Sequence, residues 1–158
     1  MAQFHLLAAT MTGNAQMVAE EIQYVLEQAG HETTLRAMDS LTPEVFAEPG
    51  RFIVCTSTYG SGDVPDNAKA LYEALCGARP DLSRVSFAIF GLGDSTYQQT
   101  YNFGGKKFES ILTELGAKAF FEAHFHNASG GTLPEEDCVP WARGMLALKS
   151  LALEPADA

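Results

Sequence analysis

The sequence has few cysteines, no C-x-x-C pair and no long apolar run, and each shortage excludes a class of protein. Its 158 residues include three cysteines, Cys55, Cys76 and Cys138, which are too widely spaced to indicate a zinc or dithiol redox site. No segment approaches the roughly 20 apolar residues that a membrane span requires. The first residues also lack the basic region of a signal peptide. We therefore expect a cytoplasmic protein with reduced thiols, no bound metal and no membrane partner.

Basic residues are scarce as well. Ten Lys and Arg against twenty Asp and Glu give a formal net charge of −10, which disfavours nucleic acid and favours a basic protein partner. The composition, 46% hydrophobic and 19% charged, is ordinary for a globular domain, and the length suits one domain. We expect a monomer with one domain over residues 1–152 and a frayed tail over 153–158.

Apolar runs alternate with segments of helical spacing along the whole chain. The predicted strands cover 4–9, 32–37, 51–57, 85–90 and 118–125, and the predicted helices cover 14–29, 65–75, 103–115 and 134–151. Strands that alternate with helices form βαβ units and a parallel sheet. The pattern predicts an α/β fold with three layers, a doubly wound five-stranded parallel sheet between helices. In such a sheet, ligands bind outside the carboxyl ends of the strands.

The loop after the first strand is typical of a phosphate site. Small and hydroxyl side chains lead directly into a helix, in the order Thr10, Met11, Thr12, Gly13, Asn14 and Ala15. Such residues leave backbone N–H groups open, and the positive end of the helix dipole favours an anion. The loop has no lysine and does not match G-x-x-x-x-G-K-[ST], so nucleotide hydrolysis is not indicated and a terminal phosphate monoester fits better. Helix capping by the two threonines is the alternative.

The loops after the third and fourth strands are rich in glycine and tyrosine. The first contains Ser57, Thr58, Tyr59, Gly60 and Gly62, and the second contains Leu92, Gly93, Asp94, Tyr97 and Asn102. Glycine lets the backbone approach a ligand closely, and tyrosine offers a flat face. One such loop is usually a simple turn. Two of them beside a phosphate loop predict a flat aromatic ring held between two tyrosines.

These three motifs resemble those of the flavodoxin family, in particular the short flavodoxins of the MioC type and the FMN domains of diflavin reductases. The first loop resembles the T-x-T-G-x-[TA] phosphate loop of the family, and the runs 57–63 and 91–97 resemble its two flavin loops. The resemblance spans nearly the whole chain and implies a flavodoxin-like sheet of strand order 2-1-3-4-5. It also implies FMN, with the phosphate on residues 10–15 and the ring between Tyr59 and Tyr97. An extra residue before Tyr101 leaves that tyrosine as the alternative stacking partner.

The resemblance implies a non-catalytic electron carrier. It would take single electrons from an NAD(P)H-dependent flavodoxin or ferredoxin reductase and pass them to a basic-surfaced acceptor protein. The loops around the expected ring, 56–67, 91–105 and 127–138, hold six acids and no Lys or Arg. Because an electron-rich reduced ring is disfavoured in such a setting, we expect a low reduction potential.

Three other functions share this fold class. A self-sufficient NAD(P)H-dependent flavin or quinone oxidoreductase would need a basic pocket beside the flavin. A phosphoacceptor signalling domain would need carboxylates after the first strand, which instead ends in Ala8, Ala9 and Thr10. A regulatory domain that has lost its flavin is the third alternative.

Four residues outside the loops have two interpretations each. His124 and His126 lie two apart on a predicted strand, which suits a metal pair but is more typical of a partly exposed sheet edge. Cys55 and Trp141 are expected to be core residues rather than functional ones.

Overall fold

A doubly wound parallel sheet forms the centre of the molecule. The computed structural model describes residues 3–9, 14–38, 41–47, 50–57, 66–93, 103–121, 123–127 and 134–146. The strands are β1 (Gln3–Ala9), β2 (Glu32–Ala37), β3 (Arg51–Ser57), β4 (Ser86–Gly93), β5 (Lys118–Ala119) and β6 (His124–Asn127). The helices are α1 (Asn14–Gln28), α2 (Asp66–Ala78), α3 (Phe103–Glu114) and α4 (Pro134–Leu146).

All strand pairs in the described part of the sheet are parallel. The order is β2-β1-β3-β4-β5, and β6 also pairs with β4, further along the strand than β5 does. The two short strands β5 and β6 therefore share the fifth position of the sheet. The predicted fold class and strand order 2-1-3-4-5 are confirmed.

Each face of the sheet packs against its own pair of helices. In β1, for example, Leu6 belongs to a core cluster that includes residues of α1 and α4, whereas Leu7 belongs to a second cluster with residues of α2 and α3. Neighbouring residues of a strand point to opposite faces, so central strands of such a sheet must be apolar on both sides. The predicted core residues Cys55 and Trp141 are both buried in the first cluster.

Two helices end at a glycine with a positive φ. At Gly30 (φ 92°) and Gly116 (φ 102°), backbone hydrogen bonds reach back three residues from the glycine and five residues from its successor. This is the Schellman arrangement, which favours glycine because other residues are strained in the left-handed region. The two sites differ in their surroundings. A Cβ at Gly30 would meet nothing within 4 Å, whereas one at Gly116 would lie 3.2 Å from the Cα of Ser83.

The predicted single strand over 118–125 is wrong in its continuity, because the structure divides it into β5 and β6. Phe120 and Phe121 are consecutive, yet both pack against the core cluster on the α1 and α4 side. A regular strand would send these two rings to opposite faces, so the strand ends at Ala119 and resumes only at His124.

Other boundaries differ by about one turn. Helix α2 extends to Ala78 and β4 extends to Gly93, three residues beyond each prediction, and a 3-10 segment over Pro43–Ala47 was not predicted. The predicted last helix is described as far as Leu146, and the remainder of that prediction and the tail lie outside the described residues. Within the described ranges, no helix has the length and apolarity to cross a membrane.

Candidate functional site

The carboxyl ends of four strands form one row at the same edge of the sheet. Ala9 of β1 is in register with Thr56 of β3. One residue further on, Ser57 is in register with Leu92 of β4, which is in register with His126 of β6. The loops predicted to bind a ligand therefore leave the sheet side by side. They do so at β1 and β3, where the strand order reverses, which is where ligands bind in sheets of this kind.

Helix α1 brings its amino end to this row. It begins at Asn14, five residues after the last residue of β1, and it has no acidic residue in its first turn. The first N–H groups, which have no partner within the helix, and the helix dipole therefore create a positive potential that no acidic side chain of that turn neutralises. Ala15 is fully buried in the core, so the side chain of this predicted phosphate residue packs against the protein rather than facing a ligand.

The ends of β3 and β4 carry the other described members of the predicted site. Ser57 and Gly93 are the last residues of their strands and lead directly into the predicted flavin loops. The side chain of Leu92 is 7% exposed and belongs to the core cluster on the α1 and α4 side. The side chain of Leu92 therefore anchors the end of β4 in the core.

The structure thus brings together five of the predicted residues, Asn14, Ala15, Ser57, Leu92 and Gly93, at one edge. The other eleven predicted residues remain predictions, because they lie outside the described residues. They are Thr10, Met11, Thr12, Gly13, Thr58, Tyr59, Gly60, Gly62, Asp94, Tyr97 and Asn102.

A histidine contact near this edge was not predicted from the sequence. Nε2 of His124, at the start of β6, lies 2.9 Å from Oδ2 of Asp137 in the first turns of α4. Because an ionised carboxylate can only accept, the histidine donates. The ring of His124 also stacks on Phe90, with centroids 5.1 Å apart and an interplanar angle of 23°. Of the six acids expected around the ring, Asp137 is therefore engaged with the protein itself.

This histidine is half-buried, with 39% of its side chain exposed, as expected for a partly exposed sheet edge. Within the described ranges, no group of three or more His, Cys, Asp or Glu side chains is placed to hold a metal ion. A sequence signal for the contact did exist, since His124 belongs to a strand that precedes an acidic helix start. The pairing itself depends on how α4 folds back onto the sheet.

The buried cysteines offer no reactive thiol near the site. Cys55 is fully buried in β3, and burial raises the pKa of its thiol far above the usual range, with the nearby Cys138 raising it further. A thiol must ionise to act as a nucleophile or metal ligand, so Cys55 is inert in the folded protein.

Comparisons with known proteins agree with this architecture. The sequence profile of the family described as Flavodoxin matches residues 6–141. The chain is 35% identical over 141 residues to the protein MioC of Escherichia coli (strain K12), which covers 89% of this chain and 94% of MioC. It is also 38% identical over 117 residues to the sulfite reductase [NADPH] flavoprotein alpha-component of Bacillus subtilis (strain 168), over 72% of this chain and 19% of that protein.

Among solved structures, a cysteine-to-serine mutant of a flavodoxin from Pseudomonas aeruginosa superposes with a TM-score of 0.81. The match is 33% identical in sequence and covers 93% of this chain and 99% of that one. The profile match and these relatives cover most of the chain, including all the strand ends that form the edge described above. The chain therefore belongs to the flavodoxin family, a family of electron-transfer flavoproteins.

Proposed function

We propose that this protein binds FMN at the carboxyl edge of its sheet and shuttles single electrons between an NAD(P)H-dependent reductase and an acceptor protein. The observation that carries the proposal is that the three strands before the predicted ligand loops end side by side, next to a helix whose first turn has no acidic residue. β1, β3 and β4 end in one row, and α1 begins there with no carboxylate in its first turn.

The described residues fit such a group. A phosphate monoester carries between one and two negative charges at neutral pH, and the amino end of α1 has the opposite potential. Ala15 is fully buried and belongs to the core cluster, so this end of α1 is held firmly against the sheet. We propose that residues 10–15 hold the phosphate. The ring would then lie between Tyr59 and Tyr97, with the other predicted loop residues along its edge and ribityl chain.

When bound, FMN supplies the redox chemistry, and the protein supplies binding, orientation and electrostatics. The α1 end neutralises the phosphate, so no lysine or arginine is needed beside the ligand. Five acids of the three loops, Asp63, Asp66, Asp94, Glu135 and Glu136, remain besides Asp137. Because the same three loops contain no Lys or Arg, these acids would disfavour added negative charge on the ligand and so lower its reduction potential. Tyr59 and Tyr97 would exclude water from the two ring faces.

The same charge distribution favours basic redox partners, since complementary potentials speed encounter between proteins. We propose that the protein acts as a monomer in the cytoplasm. The three free cysteines support a reducing compartment, because disulfides persist mainly in oxidising ones.

A direct test separates the carrier from the alternative, a self-sufficient NAD(P)H-dependent flavin or quinone oxidoreductase. The FMN-loaded protein is mixed anaerobically with NADPH or NADH, first alone and then with a catalytic amount of a flavodoxin reductase. A carrier keeps its visible absorbance with the nicotinamide alone and loses it only after the reductase is added. Rapid loss of absorbance without the reductase would refute the carrier and support the oxidoreductase.

A further inference from the structure

We propose that His124 is a positioning residue for the flavin site: it holds the start of β6, and with it the second half of β4, against α4. The inference rests on the proposed FMN function. It concerns the contact between His124 and Asp137, which lies outside the three loop motifs.

Strand β6 is short and has few backbone pairs within the described part of the sheet. It has four residues and pairs with β4 alone among the described strands, from Phe90 to Gly93. Strand β5 pairs with β4 further back, at Ser86 and Phe87. A four-residue edge strand in a parallel sheet has few backbone hydrogen bonds and is expected to open locally unless side chains hold it.

The side chains form a closed circuit of contacts across three elements. His124 stacks on its register partner Phe90, at 5.1 Å, and Phe90 meets Trp141 edge-on, at 5.4 Å. Trp141 lies one helical turn after Asp137 in α4, and Asp137 closes the circuit with its 2.9 Å bond to His124. His124 contacts β4 through its ring face and α4 through its Nε2.

These contacts connect to the proposed site through two elements, β4 and α1. Phe90 lies three residues before Gly93, where β4 leads into the proposed flavin loop. Helix α4 packs against α1, where Sγ of Cys138 lies 4.0 Å from the carbonyl oxygen of Val18. α1 in turn begins at the proposed phosphate loop. His124 therefore connects the strand that carries the ring loop to the helix pair that carries the phosphate loop.

A structural role alone would have a different consequence. A half-exposed histidine–carboxylate contact contributes little to global stability, and its loss would lower the stability of the whole protein slightly without a specific effect on FMN. If His124 has a positioning role, its loss should weaken FMN binding more than it lowers global stability. In such a variant, part of the free energy of FMN binding would be used to order β6 and the end of β4.

The test compares His124→Phe, which keeps a stacking ring but loses the bond to Asp137, with Asp137→Ala. The matched control is His31→Gln, because His31 is also half-buried and also touches an aromatic ring, that of Phe4, at 5.4 Å. Phe4 lies near the start of β1, so this control removes a histidine–ring contact from the opposite end of the sheet.

We expect both test variants to raise the Kd for FMN by about fivefold or more, which is a typical coupling for residues in direct contact. The Kd of the double variant for FMN should be no higher than that of the more affected single variant, because both substitutions break the same contact. Asp137→Asn, whose carbonyl oxygen can still accept from Nε2, should restore most of the affinity. His31→Gln should change the Kd by less than about twofold, even where its unfolding midpoint falls as much as that of His124→Phe.

A second readout uses the protein without FMN. Hydrogen exchange followed by mass spectrometry should show faster exchange of 123–127 and 90–93 in His124→Phe than in the wild type, and unchanged exchange in β2. Unchanged exchange in those two segments would overturn the inference whatever FMN does. Unchanged FMN affinity of both test variants, with a wild type that binds FMN, would also overturn it. A wild type that fails to bind FMN would instead refute the proposed function. The exchange data would then test only whether His124 stabilises β6 and β4.

Discussion

The amino end of α1 is the part of the proposed site where a single charge should have a predictable effect. Gln16 lies in the first turn of α1, and Gln28 is its last residue. Both glutamines can be changed to glutamate, which adds the same charge to the same helix in nearly the same shape. At a rise of 1.5 Å per residue, the two positions lie roughly 18 Å apart along the helix. Gln16→Glu and Gln28→Glu therefore form a matched pair.

The two variants should differ in sign on the empty protein. A carboxylate in the first turn interacts favourably with the helix dipole, and one in the last turn interacts unfavourably, each by about 0.3–1 kcal/mol. Urea unfolding of the protein without FMN should therefore show Gln16→Glu to be the more stable variant.

On FMN binding, Gln16→Glu should be the damaging variant. A carboxylate roughly 8 Å from a phosphate repels it by about 1–2 kcal/mol at intermediate effective dielectric constants, which is about a 5- to 30-fold rise in Kd. At roughly 18 Å the repulsion from Gln28→Glu is screened, because the Debye length is about 8 Å at physiological salt. Its Kd should stay within about twofold of the wild type.

The assay is fluorescence titration of the apoprotein with FMN, repeated with riboflavin, which lacks the phosphate. Only the FMN affinity of Gln16→Glu should fall, and added salt should reduce the difference. Equal affinity of the two variants for FMN, or an equal loss for riboflavin, would refute the placement of the phosphate at α1.

Three further predictions concern stability, thiol reactivity and partner binding. Gly30→Ala should lower the free energy of unfolding by about 1–2 kcal/mol, from backbone strain alone. Gly116→Ala should lower it by at least about 1 kcal/mol more, because the new Cβ crowds the backbone of Ser83. Equal losses in urea unfolding would contradict the packing at Gly116. A thiol reagent should label only the exposed Cys76 in the native chain and all three cysteines after unfolding. Burial suppresses ionisation of the Cys55 thiol and keeps the reagent away from Cys138. Fast labelling of more than one thiol in the native protein would contradict this core. Electron transfer to a basic acceptor should slow as ionic strength rises, and stopped-flow rates that ignore salt would count against charge-guided docking.

The sequence predicted the fold class and strand order because nearly every element has a strong local signal. Strands such as β3 are apolar on both faces, which indicates a sheet covered by helices, and glycine at positions 30 and 116 ends two of the helices. Boundaries were less accurate where backbone pairing outweighs the side-chain pattern. β4 continues through Gly91 and Gly93, which look like loop residues, because Gly91 has register partners in both β3 and β6 and Gly93 has one in β6.

The edge of the sheet was harder to predict, and so was the contact that braces it. The run 118–125 looks like one strand because the sequence is largely apolar, but the consecutive rings of Phe120 and Phe121 both turn to one core cluster and interrupt it. The bond between His124 and Asp137 joins two residues thirteen positions apart. It arises only once α4 has packed back over the sheet, so no local pattern specifies it.

The central claim is that this edge of the sheet binds FMN and passes electrons one at a time. The most direct measurement is stepwise anaerobic reduction of the apoprotein reconstituted with one equivalent of FMN, followed by absorbance. We expect two resolved one-electron steps, with a long-wavelength band that rises and then falls, and a second step at low potential. A protein that binds no FMN, or whose bound FMN loses its absorbance in a single two-electron step, would contradict it.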